Sequence, residues 1–230
     1  MKINAEFSQI ASAHTAEQDW IPSPIVGVDR KPLDRVGNEV ARATSIVRYA
    51  PHSTFSPHIH SGGEEFVVLE GVFQDEHGDY PAGSYVRNPP QSQHKPGSEK
   101  GCVIFVKLWQ FQAEDRKHVN VLMENAEISF ANNNDKVIER LLYADRHERV
   151  THVTLSANTD WQSDDQNGNE ILVLDGAVFH HQEILQKHDW LRIPDGQELH
   201  LKAGSEGAKI WLKTGNLPDI EKQIKRLESA

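Results

Sequence analysis

Two histidines, two glycines and two glutamates lie close together in the segment PHIHSGGEEFVVLEG, residues 57–71. Alternate side chains of an extended strand point to the same face, so His58 and His60 can reach one ion. The Ser-Gly-Gly turn that follows is flexible, and it allows Glu64 to swing back toward both imidazoles. Imidazole nitrogens and a carboxylate oxygen together suit a first-row divalent metal, whereas soft-ligand sites need thiolates. The alternative interpretation is a polar loop that leads into a strand.

Short β-branched and aromatic segments must position these residues. They are separated by clusters of Pro, Gly, Ser and Asp, which is typical of β-sandwiches and barrels. In the first half of the chain the predicted strands are TSIVRYA (44–50), EFVVLEG (65–71), GSYVRNP (83–89) and CVIFVKLWQF (102–111). In the second half they are VTHVTL (150–155), EILVLDGAVF (170–179), DWLRIPDG (189–196) and AKIWLKTG (208–215).

The two halves repeat each other at an offset of about 105 residues. Three segments match in the same order: EFVVLEGVF (65–73) with EILVLDGAVF (170–179), YVRNPPQSQH (85–94) with WLRIPDGQELH (190–200), and KPGSEKGCVIFVK (95–107) with LKAGSEGAKIWLK (201–213). A fixed offset over three segments indicates two copies of one all-β module. We place the connection between them within residues 112–140.

The repeat predicts three parts of the chain. Residues 1–115 form a metal-binding module, residues 116–215 a degenerate copy of it, and residues 216–230 an amphipathic helix. Pro218 suits the first turn of that helix, and an apolar stripe follows from the spacing of Ile220, Ile224 and Leu227.

The metal-ligand pattern extends beyond Glu64. Gly71 follows after six residues, and a second segment, GDYPAGSYVRNPPQSQH, ends in His94. This pattern resembles the cupin superfamily, small jelly-roll β-barrels in which two His and one Glu of a first motif and one His of a second motif hold a metal. Because the second half is similar, the resemblance implies a bicupin. The expected fold is all-β, with two tandem cupin (jelly-roll β-barrel) modules and a short C-terminal helix.

The first module is most similar to the cupin domain of ChrR-type anti-sigma factors, through its GGEE, LEGVF, RNPP and GCVIFVK segments. This resemblance implies that His58, His60, Glu64 and His94 are the metal ligands. Glu65 is one residue out of phase, and we expect it to be a surface carboxylate or an outer neighbour of the site. ChrR-type factors carry a zinc-binding helical domain before the cupin. The first 50 residues here contain no Cys and only one His, His14, so sigma-factor binding is not expected.

The second module lacks most of this ligand set. Counting back from Gly176 as from Gly71 places Ser163, Asp165 and Asn169 opposite His58, His60 and Glu64, and His200 is opposite His94. We therefore expect one divalent transition metal (zinc, iron, manganese or nickel) in the first module and none in the second.

Two arginines are candidates for substrate binding. Arg48 shares strand parity with the apolar Ile46, and Arg87 recurs in the second module as Arg192, which favours a structural role. The single cysteine, Cys102, lies in an apolar segment without a basic neighbour, so we expect a small buried core residue.

Two functions remain open. The ChrR-like motifs favour a sensing or regulatory binding module, which would pass a change at the metal to a partner protein. Four protein ligands would leave two positions of a six-coordinate metal open, which favours a metal-dependent enzyme. The enzyme hypothesis is an iron dioxygenase of the acetylacetone-cleaving or quercetinase kind, acting on a small chelating substrate; its catalytic residues are not indicated by the sequence.

Composition restricts the partners. The net charge of −10 argues against a nucleic-acid or anionic-membrane surface, because phosphate binding requires clustered Lys and Arg. We expect no signal peptide, because the first 20 residues lack its basic stretch and continuous apolar segment, and no membrane span, because no later run approaches about 18 apolar residues. We expect a cytoplasmic protein that binds a small molecule or a regulatory protein. A homodimer is the default expectation, because the edge strands of cupin sandwiches commonly pair.

Overall fold

The computed structural model describes residues 1–132 and 135–228, and most of this part of the chain is β-structure. The strands of the first half are β1 (Lys2–Ile3), β2 (Ala11–Ala13), β3 (Ile21–Pro22), β4 (Val28–Gly37), β5 (Ala41–Tyr49), β6 (Ser53–Thr54), β7 (His58–His60), β8 (Glu64–Asp75), β9 (Gly78–Pro81), β10 (Ser84–Asn88), β11 (Ser92–His94), β12 (Gly97–Ser98), β13 (Cys102–Leu108) and β14 (Val119–Leu122). Those of the second half are β15 (Ile128–Ala131), β16 (Val137–Ala144), β17 (Arg149–Leu155), β18 (Asp160–Gln162), β19 (Asn169–His180), β20 (Glu183–Gln186), β21 (Trp190–Ile193) and β22 (His200–Thr214). The eight strands predicted from the sequence correspond to β5, β8, β10, β13, β17, β19, β21 and β22.

The chain divides into two compact units. The first comprises Met1–Ala5, Asp19–Leu122 and the residues from Glu221 onward, and the second comprises Glu6–Gln18 and Met123–Ile220. Segment 6–18 therefore belongs to the second unit although it precedes the first repeat in the sequence. Asn133 and Asn134 of the predicted connection, and residues 229 and 230 of the predicted helix, lie outside the described residues.

The first unit is built on one large antiparallel sheet. Its strand order is β1-β4-β5-β13-β8-β10-β14, and a separate antiparallel pair is formed by β7 and β11. Side chains alternate between an apolar core face and an opposite face, and the central strands β5, β8 and β10 are buried on both faces over much of their length. The core side chains of this unit include Val28, Val47, Phe66, Val68, Phe73, Tyr80, Val86, Cys102, Ile104 and Val106.

The second unit has an equivalent sheet, ordered β15-β16-β17-β22-β19-β21-β2. Its apolar core is formed by Val153, Leu155, Ile171, Val173, Val178, Leu185, Leu191, Ile193, Leu199, Leu201, Ile210 and Leu212, among others. The two tandem jelly-roll modules predicted from the repeat are thus confirmed.

The repeat is visible in the backbone at two glycines. Gly71 and Gly176 have φ angles of +72° and +70°, a region that favours glycine. A Cβ atom at either position would lie 2.2 Å from a carbonyl oxygen, that of Gly101 in the first module and that of Gly207 in the second. Each module therefore bends a long strand, β8 or β19, against an equivalent turn, at Gly101 in the first module and at Gly207 in the second.

The chain ends in helix α1 (Ile220–Glu228), preceded by a 3₁₀ turn at Leu217–Asp219 that contains Pro218. Ile220 is buried, and Ile224 and Leu227 are half-buried, as the predicted apolar stripe requires. Further 3₁₀ turns cover Thr15–Glu17 and Met123–Asn125. No helix in the described part of the chain is both long and apolar enough to cross a membrane.

Candidate metal centre

Pairing of two short strands brings three histidines to one face. In the antiparallel pair β7–β11, His94 is directly opposite His58, and Ser92 is opposite His60. Because side chains alternate along a strand, His58, His60 and His94 share a face, and Ile59 points away to solvent with 62% of its surface exposed. The chain folds this way because Gly62 and Gly63 reverse it immediately after His60.

The reversal depends on close packing of two aromatic rings. Gly63 has a φ angle of +80°, and a Cβ atom there would lie 2.5 Å from the ring of Phe111. A Cβ atom at Gly62 would lie 2.1 Å from the ring of Trp109. Larger residues at either position would displace these rings, so the two glycines fix the path from His60 to Glu64.

The histidine side chains converge closely. Their ring centroids are 4.8 Å apart for His58 and His60, 5.1 Å for His58 and His94, and 4.7 Å for His60 and His94. One nitrogen from each ring can be chosen so that all three lie within 4.8 Å of one another. Three imidazoles in this arrangement could bind a metal ion.

Glu64 adds an oxygen to the same cluster. Its Oε2 atom lies 3.3 Å from Nε2 of His60 and 3.6 Å from Nε2 of His94. Asn88, opposite Glu64 in the β8–β10 pairing, donates a hydrogen bond of 3.3 Å from Nδ2 to the same oxygen. The carboxylate is therefore held beside the imidazole rings.

The buried nitrogen atoms of the cluster fit a metal ion. Nε2 of His60 and Nε2 of His94 are buried, and neither makes a hydrogen bond to any atom in residues 1–132 and 135–228. Buried polar atoms nearly always have a partner, so these two indicate a ligand of the site. Two imidazole nitrogens beside a carboxylate oxygen form the donor set that zinc, iron, manganese and nickel accept.

A second layer of hydrogen bonds orients the rings. Nδ1 of His94 lies 3.2 Å from Oδ2 of Asp75, and Nδ1 of His58 lies 3.2 Å from the carbonyl oxygen of Ser56. An N–H at Nδ1 that donates to these oxygens leaves the lone pair on Nε2, facing the cluster. Asp75 is itself held by the backbone N–H of His77 and the hydroxyl of Tyr80.

The electrostatic surroundings differ between the two buried rings. Burial lowers the pKa of His60, an effect that Glu64 only partly opposes. Burial also acts to lower the pKa of His94, but the hydrogen bond to Asp75 and the charges of Glu64 and Asp75 outweigh it and raise that pKa. His60 is thus the ring that stays neutral to lower pH.

The cluster opens into a large cavity of the first unit. The cavity has a volume of about 960 Å³, and its wall includes His58, His60 and Glu64. Apolar side chains form much of the remaining wall, among them Val28, Val47, Phe55, Ile104, Val106 and Leu108. A small molecule can therefore reach the histidine cluster from solvent.

Comparison with protein-family models identifies the first module. Residues 8–112 match the model of the ChrR cupin-like domain. The chain has a cupin fold, and its residues 8–112 are similar to the ChrR cupin-like domain. None of the curated proteins compared with the chain matches it.

Solved structures share the cupin fold at low sequence identity. A candidate dioxygenase from Nostoc punctiforme superposes with a TM-score of 0.72 at 14% identity, covering 91% of this chain and 84% of that protein. The bacterial pirin YhhW from Escherichia coli, in complex with nickel(II), has a TM-score of 0.66 at 14% identity and coverages of 90% and 98%. A variant of oxalate decarboxylase from Bacillus subtilis has a TM-score of 0.62 at 11% identity and coverages of 90% and 77%.

The cupin structure brings together all four residues that the family resemblance implied as ligands: His58, His60, Glu64 and His94. Glu65 points to the opposite face of β8. It is 1% exposed and accepts a hydrogen bond of 2.6 Å from the hydroxyl of Tyr85. Glu65 therefore lies out of phase with Glu64, as expected, but the expectation of a surface carboxylate was wrong, because Glu65 is buried beside Tyr85.

The two predicted substrate-binding arginines have other partners. Arg48 is exposed, forms an ion pair of 2.6 Å with Asp29 and covers the ring of Trp20. Arg87 is 1% exposed and donates to Asp115 at 2.9 Å. Neither belongs to the described wall of the cavity. Arg48 faces away because alternation on β5 directs Val47 and Tyr49, not residue 48, into the cavity.

In the second cupin module, the position equivalent to His58 is one residue away from the position expected from the sequence. Strand pairing places Gln162 opposite His200, as His58 is opposite His94, so the position equivalent to His58 is Gln162 and not Ser163. Asn169 does occupy the position of Glu64, with the same cross-strand relation to β21. His200 is exposed, and its Nε2 lies 2.8 Å from Glu198.

Three features of the cupin site were not predicted from the sequence. Asp75 was overlooked because only the fold brings the end of β8 to His94; the acidic turn QDEHGDY was the available signal. Arg30 and Arg35 line the cavity, and Tyr49 lies on the same wall. The alternation of β5 could have indicated Tyr49, whereas no local pattern indicates Arg35.

Proposed function

We propose that the first module is a mononuclear metal centre, held by His58, His60, Glu64 and His94, that binds a small chelating molecule from the cavity. The observation that supports it best is the pair of buried Nε2 atoms, on His60 and His94, that lack a hydrogen bond in the described structure beside an accessible cavity. A metal that served only the fold would be expected in a closed site with no approach for a ligand.

The side chains around the centre have distinct tasks in this proposal. Asp75 and the Ser56 carbonyl hold two imidazoles in the tautomer that presents Nε2. Asn88 fixes the Glu64 carboxylate. The apolar wall removes water from a bound molecule and orients it. A bound divalent metal would supply Lewis-acid activation and a template for a chelating substrate.

Two uses of this centre follow from different observations. The match to the ChrR cupin-like domain supports a sensing or regulatory module, in which occupancy of the site is passed to a partner protein. The open cavity supports catalysis, and the structural likeness to a candidate dioxygenase favours oxygen-dependent cleavage of a chelating substrate as the second candidate function.

Metal content tests the proposal. The untagged protein, purified without chelator, should contain about one transition metal per chain, since one site of four donors is expected. Oxygen consumption with β-diketones and catechols then separates the two uses: consumption supports the enzyme, and binding without consumption supports the sensing module. A protein that takes up no zinc, iron, manganese or nickel would contradict the proposal.

The same purified protein can be used to test the oligomeric state. We propose a homodimer, and light scattering after gel filtration measures its mass directly. A partner protein that co-purifies with the dimer in a metal-dependent way would support the regulatory use.

A further inference from the structure

Two arginines project into the cavity from strand β4. Arg30 is opposite Val47 in the pairing of β4 with β5, and Arg35 is opposite Ala43. Both partners on β5 line the cavity, so both arginines lie on its wall. They are half-buried.

A β-bulge gives Arg35 this orientation. Residues 30 and 35 are an odd number of positions apart and would face opposite sides of a regular strand. The register shifts between Pro32 and Asp34, so one extra residue, Leu33, is accommodated there. Bulges re-aim side chains and are frequent beside functional sites. The irregularity places two cations on one wall.

The cavity wall carries two carboxylates, Glu39 and Glu64, and neither forms an ion pair with Arg30 or Arg35. Among the described residues no carboxylate forms an ion pair with either guanidinium, although the chain has a net charge of −10. Nε of Arg35 is buried without a hydrogen-bond partner, and another nitrogen of the group donates to the carbonyl of Asn38. Burial lowers the pKa of Arg35, and the nearby charge of Arg30 lowers it further.

The arginines and the metal centre belong to the same cavity wall. Adjacent strands place Glu64 beside Leu108, Leu108 beside Ala43, and Ala43 beside Arg35. Three strand spacings separate the backbones of Glu64 and Arg35 by about 14 Å, and the long arginine side chain covers part of that distance. Tyr49 lies on the same wall, where burial raises the pKa of its hydroxyl, the charge of Glu64 raises it further, and the charge of Arg30 opposes the increase.

We infer that Arg30 and Arg35 form an anion-binding subsite, and that the molecule bound by this module carries a carboxylate at the end remote from the metal. The two guanidinium groups supply charge-assisted hydrogen bonds to the carboxylate. The apolar wall formed by Val47, Ile104 and Val106 contacts the middle of the molecule. The chelating end rests on the proposed function, whereas the carboxylate end depends only on the arginines.

Two β-diketones that differ in one carboxylate test the subsite. The probes are acetylacetone, which is neutral, and 4,6-dioxoheptanoate, which carries the same diketone and a terminal carboxylate. Calorimetric titration of the metal-loaded protein should show 4,6-dioxoheptanoate binding at least about tenfold more tightly, because charge-assisted hydrogen bonds are added. Arg30→Gln and Arg35→Gln should each remove about tenfold of that affinity and leave acetylacetone binding and metal content unchanged.

Three controls make the test decisive. Arg48→Gln removes a cation from the opposite face of the neighbouring strand and should change neither affinity. Arg35→Lys should restore part of the affinity lost in Arg35→Gln. In metal-free protein 4,6-dioxoheptanoate should still bind weakly, and Arg30→Gln should weaken it further.

The outcomes separate the subsite from the metal centre. Equal affinity for both probes, unaffected by Arg30→Gln and Arg35→Gln, overturns the subsite and leaves the metal centre in place. Arginine-dependent binding that is the same with and without metal supports the subsite and contradicts the proposed function. Absence of binding by either probe in either state overturns both.

Discussion

Nδ1 of His94 lies 3.2 Å from Oδ2 of Asp75, and the two side chains are only 3% and 4% exposed. Burial acts to raise the pKa of the Asp75 carboxyl, but hydrogen bonds from His94, the His77 backbone and Tyr80 lower it overall. The carboxylate therefore remains charged and fixes the ring that should present Nε2 to a metal. This contact joins the end of β8 to β11 and gives the centre its outer support.

Asp75→Asn should weaken metal binding by about 10- to 100-fold, which is typical when the outer partner of a metal-ligating histidine is changed. Competition with a chromophoric chelator measures the affinity. Asp79→Asn makes the same chemical change on the neighbouring strand β9, where Asp79 is exposed and contacts Gln74, and it should have no effect. Equal affinities for Asp75→Asn and the unmodified protein would contradict the assignment.

His58→Ala should reduce stoichiometric metal to a small residual amount, because it removes one of the four proposed donors. His200→Ala alters the corresponding histidine of the second module and should leave the metal content unchanged. Elemental analysis per chain after gel filtration gives the result. A comparable loss in both variants would mean that the second module also binds metal.

The adjacent glutamates offer a matched pair. Glu64→Gln should lose most of the bound metal with little change in stability, since Glu64 is the proposed oxygen donor. Glu65→Gln should keep the metal but destabilise the module by about 3–5 kcal/mol, because Glu65 is buried opposite Arg87 and Lys107 in the strand pairing. Metal content and urea unfolding are measured on both variants. If Glu65→Gln lost the metal and Glu64→Gln were the destabilised variant, Glu65 and not Glu64 would be the ligand.

Gly71→Ala and Gly176→Ala should destabilise the protein by similar amounts. Each substitution would impose backbone strain of about 1–3 kcal/mol, with a further cost from the overlap with a carbonyl oxygen. Gly83→Ala is the control, because Gly83 has a φ of +90° but a Cβ atom there would meet no other atom within 4 Å. Urea unfolding should rank Gly83→Ala as the mildest change, and a neutral Gly176→Ala would show that the two bends are not equivalent.

Cys102 should be unreactive in the folded protein. It is 4% exposed, and burial raises its pKa to about 11. About one thiol in a thousand is then ionised at pH 8, and the thiolate is the reactive form. Alkylation by iodoacetamide, followed by mass spectrometry, should be slow at pH 8, faster as pH rises toward 11, and rapid in urea. Rapid labelling of the native protein at pH 8 would contradict the buried assignment.

The elements that sequence analysis predicted well are those defined by local alternation and by the repeat. His58 and His60 share a face because side-chain direction alternates within a single strand, which is a property of the backbone alone. The same alternation separates Glu64 from Glu65. The repeated glycines and strand segments allowed both modules to be located in the sequence, because similar local patterns form similar strands and bends.

Other features depend on pairing between segments that are distant in the chain. The contact of Asp75 with His94 requires the β8 hairpin to meet β11. Arg35 enters the cavity only through the bulge in β4, which no spacing in the sequence indicates. The placement of Gln162 opposite His200, and of residues 6–18 in the second unit, likewise depends on strand register and packing.

The amino-acid order was therefore sufficient to predict the two modules and to place His58 and His60 on one face beside Glu64, because strand alternation and turn chemistry act over a few residues. The addition of His94 to this set was implied by the family resemblance. The outer carboxylate of Asp75 and the cationic wall of Arg30 and Arg35 could be located only in the folded chain. They arise from long-range pairing, whose register is selected by the packing of the whole sheet.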